Sequence, residues 1–172
     1  MPPRYPTARA PLHAAGVVDL VQGVAAAFAA DGPLSVARPG LRPRPGQLAM
    51  ALAVAKALQA GEHLAVEAGT GVGKTFAYLV PVLLSGQRAL LSTATQALQD
   101  QLFTQDIPAV SRALGLPVRA ALLKGRSSYL CLHRLELART AGSSAQRDPA
   151  VAAGLEQVQR WARLTRSGDV GE

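Results

Sequence analysis

"EAGTGVGKT", residues Glu67–Thr75, is the stretch on which the reading of this chain turns. From Ala68 to Thr75 it follows the pattern A-x-x-x-x-G-K-T, with alanine where the stricter form of the motif has glycine. Gly69, Gly71 and Gly73 permit positive-φ turns that aim successive backbone N–H groups into one concavity. A short apolar run, Leu64–Glu67, precedes the loop, and a helical pattern starts at Lys74. The helix N-terminus adds a partial positive charge at the same place. Such a loop holds phosphates: Lys74 is placed to reach the β- and γ-phosphates of a nucleotide, and the Thr75 hydroxyl to ligate Mg2+. Lys74 and Thr75 are the expected catalytic groups, and Ala68, Gly69, Thr70, Gly71, Val72 and Gly73 complete the binding loop.

Outward from the loop, short apolar runs alternate with helical segments. Strands are expected at Leu64–Glu67, Arg88–Ser92 and Val118–Leu123, and helices at Lys74–Leu84, through "TQALQDQLF", at Ile107–Leu114 and at Tyr129–Arg139. This alternation implies βαβ units and a parallel sheet with helices on both faces, an α/β nucleotide-binding fold. Upstream, "QLAMALAVAKALQAG" is apolar almost all round and reads as a buried helix ending at Gly61. Before it, Pro33, Pro39, Pro43 and Pro45 mark an extended connector, and residues 17–30 a further helix. The expected organisation is an N-terminal extension over 1–40, a nucleotide-binding lobe over 41–139, and a linker plus helix over 140–172.

The composition bounds the partners. The chain has 172 residues, 49% of them hydrophobic and 17% charged, as in a globular protein. Eighteen Lys and Arg against 11 acidic residues give +7, and only Lys56, Lys74 and Lys124 are lysines. A surface of guanidinium groups suits bidentate contact with phosphate backbones. Arg134, Arg139, Arg160, Arg163 and Arg166 form a basic helical face for DNA or a solvated one. The single cysteine, Cys131, excludes an internal disulfide framework and fits the cytoplasm. No run of about 18 apolar residues occurs, so no membrane span is expected. Arg4 and Arg9 before "GVVDLVQGVAAAFAA" imitate a signal peptide, but Asp19 and Gln22 interrupt the run and favour an amphipathic helix. His13, His63 and His133 lack metal-ligand spacing.

The flanking segments narrow the choice among phosphate-loop enzymes. "RPRPGQ", with Arg44 and Gln47 about twenty residues before the loop, resembles the adenine-reading motif of superfamily 2 helicases. A glutamine amide both donates and accepts, which suits the N6/N7 edge of adenine and selects ATP over GTP. "LLSTATQALQDQLF" (Leu90–Phe103) resembles the helicase segment that delivers Ser92, Thr93 and Thr95 to a DNA backbone; Thr93 or Thr95 can equally cap the following helix. With "LLKGRSSYLCLHRLE" (Leu122–Glu136), the order of segments is similar to the start of a DinG-like helicase, especially the YoaA branch, among bacterial relatives of the XPD family of iron–sulfur helicases.

That resemblance, covering about residues 42–136, implies a RecA-like motor lobe, ATP-driven 5′ to 3′ movement on single-stranded DNA, and a [4Fe–4S] cluster whose first ligand would be Cys131. It would place Lys124 and Arg126 near the DNA entry path. The chain also departs from the family. Such a cluster takes four thiolates, and the chain has one cysteine. None of the six aspartates is followed by glutamate, so the DEAH-type box is missing. A second lobe with its arginine finger is missing too. The expectation is the N-terminal piece of a longer helicase that binds ATP·Mg2+ but hydrolyses it negligibly. The alternatives are a small-molecule kinase and a non-catalytic ATP- or DNA-binding remnant. About 67 residues before the loop and no Arg-rich lid speak against the kinase.

Overall fold

Asp19 opens the first helix: its carboxylate accepts the Val21 amide at 3.1 Å and so caps α1, Leu20–Ala27. The computed structural model describes residues 19–37, 44–140 and 148–171. The start of the expected helix over 17–30, the connector around Pro39 and Pro43, and most of the linker after Thr140 lie outside them. Where an extended connector was expected from Gly32, a short helix α2 forms at Pro33–Ala37. Proline is compatible with a first helical position because the N–H it lacks has no helical partner there. The chain divides after Ala121 into two units.

The first unit is built on α3 (Pro45–Ala60) and α4 (Lys74–Ser85), which pack on each other and on α1. Ala51 and Ala55, four residues apart on α3, and Ala77 on α4 are fully buried, so small side chains let these helices approach closely. Val24, Leu34, Leu79, Val80 and Val110 fill the rest of the core. Thr95 caps α5 (Gln96–Gln101) by accepting the Leu98 amide at 3.3 Å, which decides between the two expected cap residues. Thr93 donates its hydroxyl to the Thr95 carbonyl. A π-helical turn, Leu102–Asp106, then joins α5 to α6, Ile107–Leu114. Pro108 offers no N–H to the Thr104 carbonyl and crowds it, and a widened turn just before it relieves that crowding.

The expected parallel sheet is not seen among the described residues. Among the described residues there is no strand ladder, and the three segments expected as strands run as irregular chain. Leu64, Val66, Leu90 and Leu123 on them are exposed, Leu90 by 94%. The physical reason is that a strand is defined by its neighbour. A helix satisfies its backbone internally, whereas a β segment must borrow partners from another segment.

Among the described residues the one β pairing lies in the second unit and is antiparallel, between Tyr129 and Asp169. The Leu130 amide donates to the Gly168 carbonyl at 2.8 Å and the Val170 amide to the Ser128 carbonyl at 2.9 Å. The Lys124 ammonium pairs with the Asp169 carboxylate at 2.7 Å, with side chains only 12% and 8% exposed. The Tyr129 phenol accepts the Lys124 amide at 2.9 Å. Helices α7 (Leu132–Thr140) and α8 (Pro149–Ala162) lie between the paired segments in sequence.

Two outcomes follow from this packing. Leu79→Ala should cost about 2–5 kcal/mol in the first unit, read by urea titration, because it empties a fully enclosed site. The hydrogen bond from Lys124, with a second from the Gly171 amide, holds the Asp169 carboxyl below the usual carboxylate range. Its stabilising contribution is therefore present above the ordinary aspartate range and lost as pH falls through the depressed value. Hydrogen exchange at the Leu130 and Val170 amides should quicken, relative to intrinsic rates, as acid protonates Asp169. Asp169→Asn should remove that acid dependence.

Candidate functional site

The phosphate-loop residues converge where α3 begins and α4 begins. Gly71 and Gly73 take positive φ, 78° and 87°, while Gly69 stays outside the left-handed region, so two of the three expected turns are of that kind. Gly73 caps α4, and its carbonyl accepts the Ala77 amide at 3.2 Å as the first helical hydrogen bond. The same carbonyl accepts the Gln47 side-chain N–H at 3.0 Å. A carbonyl oxygen has two lone pairs, and here each serves a different helix.

Gln47 is 6% exposed, one of the few buried polar side chains. A Cβ on Gly73 would lie 2.9 Å from Gln47 Cδ, so glycine is required there both by φ and by the closeness of the amide. A Cβ on Gly71 would sit 3.6 Å from Arg44 Nη1, and one on Gly46 would sit 3.7 Å from Val72 Cγ1. The first turn of α3, with Arg44 just before it, thus packs directly on Gly71, Val72 and Gly73. The sequence separates these two groups by more than twenty residues, and the fold joins them.

Lys74, the first residue of α4, turns its ammonium back over the loop. It donates to the Ala68 and Gly69 carbonyls, both at 2.8 Å. Thr70 is exposed and Thr75 half-buried. Thr75 hydrogen-bonds to the Tyr78 phenol, one turn further along α4. Burial, the main cause, raises the Tyr78 phenol above its ordinary value; the Thr75 bond opposes this and the Asp106 carboxylate adds to it. Tyr78 went unnoticed in the sequence, although its i,i+3 spacing from Thr75 was there to read.

Other expected residues are placed elsewhere. Cys131 is exposed just before α7, and among the described residues no cluster of three or more His, Cys, Asp or Glu can hold a metal. One thiol does not fit a four-thiolate cluster, so these residues do not hold one. Lys124, expected near a DNA path, is engaged by Asp169. Of the five arginines of the expected basic face, Arg139, Arg160 and Arg163 share one cleft between α7 and α8. No helix among the described residues is long and apolar enough to cross a membrane.

A glycine-rich loop that leads into a helix and is fastened to an upstream glutamine and arginine suits a phosphate-binding site, and comparison with known proteins gives the family. The sequence model of DEAD/DEAH box helicases matches residues 49–141, and the chain belongs to that family. It is 46% identical over 155 residues to the ATP-dependent DNA helicase YoaA of Haemophilus influenzae, covering 90% of this chain and 24% of that protein. It is 43% identical over 155 residues to the ATP-dependent helicase DinG of Mycobacterium tuberculosis, covering 79% of this chain and 23% of the relative. To the 3′-5′ exonuclease DinG of Bacillus subtilis it is 38% identical over 145 residues, 81% of this chain and 15% of that one. The chain thus spans about a quarter or less of the length of these relatives.

The junction yields a discriminating test by glycine substitution. Gly73→Ala should cost about 2–3 kcal/mol, from the left-handed backbone and the displaced Gln47 bond. Gly69→Ala, whose Cβ meets nothing within 4 Å, should stay within about 0.5 kcal/mol. Denaturant midpoints of the two variants check this.

Proposed function

We propose that this chain is the nucleotide-binding portion of an ATP-dependent DNA helicase of the iron–sulfur type, working in the cytoplasm and moving 5′ to 3′ on single-stranded DNA. The single observation that carries the nucleotide reading is the packing of Arg44 and Gln47 onto the glycine loop that bears Lys74 and Thr75. In this reading the amides of residues 69–75 and the Lys74 ammonium hold the β- and γ-phosphates, and the Thr75 hydroxyl takes a place on Mg2+. ATP supplies a phosphoanhydride whose cleavage drives movement; the chain's own residues bind and orient it.

Lys74 is suited to this exchange of partners. Two neutral carbonyls hold its ammonium over the loop, and phosphate oxygens offer a stronger, charge-assisted bond. Gln47 fixes the loop through Gly73, and the rest of its amide is the group proposed to read adenine. The segments 64–67, 88–92 and 118–123 are proposed as parallel strands of a RecA-like sheet. The apolar character of these runs, with Leu64, Val66, Leu90 and Leu123, supports that assignment, since parallel strands covered by helices are apolar on both faces. The iron–sulfur class rests on the resemblance around Cys131, and no step is assigned to a cluster.

Hydrolysis asks for more than binding. It needs a carboxylate to orient water and an arginine to stabilise charge at the γ-phosphate, and an arginine finger alone is worth about 10³–10⁵ in rate. None of the aspartates here is followed by glutamate. The purified chain is therefore expected to bind Mg2+·ATP, with ATP preferred over GTP, and to release phosphate no faster when single-stranded DNA is added. Turnover stimulated by DNA would contradict the hydrolysis reading. Equal affinity for GTP would contradict the role given to Gln47.

A further inference from the structure

The second unit holds a basic site made of residues that play no part in the phosphate loop. On α8 and at its C-cap, Leu155, Glu156, Gln159, Arg160 and Arg163 follow the i, i+3, i+4 rhythm of one helix face. With Arg139, from the last turn of α7, they line a cleft of about 600 Å³. Three guanidinium groups thus surround one concavity against a single carboxylate, Glu156. Arg139 also pairs with Glu136 at 3.0 Å, but both side chains are substantially exposed, 40% and 62%. Such a pair holds its arginine weakly.

The lining is graded along the helix. Ala152 and Leu155 give the end nearer the start of α8 an apolar floor, and Gln159, Arg160 and Arg163 make the other end cationic. From Ala152 to Arg163 the face runs about 16 Å at the rise of an α-helix. A track of that length follows a strand and is longer than a single phosphate needs. Guanidinium forks match phosphate oxygens in pairs, and an apolar floor accepts the face of a base or sugar. The net charge of +7 over the chain favours an anionic partner.

We propose that this α7–α8 cleft binds the backbone of single-stranded DNA, with Arg160 and Arg163 as the phosphate contacts, Arg139 as a third cation contributed by α7, and Glu156 as an opposing charge that limits affinity. This deepens the DNA reading of the preceding section and rests on it.

The test is fluorescence anisotropy of a labelled oligothymidine with the full chain, over a series of salt concentrations. The double variant Arg160→Ala/Arg163→Ala should bind about tenfold more weakly or worse. Its plot of log affinity against log salt should be shallower by about 1.4, the value for two lost contacts on a single strand. Arg160→Lys/Arg163→Lys should keep the slope. Glu156→Gln should tighten binding, an effect opposite in sign to structural damage, and circular dichroism of each variant checks that α8 persists. If the double alanine variant bound with unchanged affinity and slope, the cleft assignment would be overturned while the DNA reading stood. Absence of binding by the unaltered chain would overturn both. Displacement of the oligonucleotide by an equal concentration of inorganic phosphate, at constant ionic strength, would show an anion site and overturn the strand assignment.

Discussion

The Gly73 carbonyl is the point on which this structure hinges. It accepts the first helical amide of α4 from Ala77 and the buried amide of Gln47 from α3. Two helices at the centre of the core are thereby tied to the loop that carries Lys74 and Thr75. The tie leaves no room at residue 73 for a side chain, since φ is 87° and Gln47 fills the space where a Cβ would point. A buried primary amide is costly if unpaired, so Gln47 and the loop conformation support each other. A glutamine proposed to read adenine at one end of a nucleotide is in this way mechanically joined to the loop proposed to hold the phosphates at the other.

The helices were legible because their causes are local. Ile107–Leu114 falls where the periodicity put it, α4 starts at Lys74 as the motif requires, and α3 runs to the residue before Gly61. The capping chemistry of Asp19 and Thr95 is equally local, a side-chain oxygen meeting an amide two or three residues on. The strand segments were legible only as composition. Their apolar runs are present, yet Leu90 and Leu123 stand exposed, because pairing is a property of two segments and one apolar run cannot supply it. The short helix α2 and the π turn before Pro108 escaped notice because each depends on how a proline is accommodated, which spacing does not encode.

The site divides along the same line. The order of residues in the loop announced Lys74 and Thr75, and the resemblance picked out Arg44 and Gln47. What no one-dimensional pattern gave was the closeness of those two groups, whereas the Tyr78 phenol on Thr75 had a readable i,i+3 spacing that went unused. Lys124 shows what the sequence left out: expected near a path for DNA, it is also paired with Asp169, a residue 45 positions later that carried no signal of its own. Sequence distance hides such pairs, and charge counts treat both partners as surface.

Membership of the DEAD/DEAH box helicases and the junction of α3 with the loop together make one central claim, that the loop grips a nucleotide triphosphate through its amides and a single ammonium. Titration calorimetry of Mg2+·ATP against the unaltered chain and against Lys74→Ala measures it most directly. The account predicts a weakening of roughly tenfold or more on removing the ammonium, in line with about 1.5–3 kcal/mol for a charged hydrogen-bond donor. Affinity equal in the two proteins would contradict it.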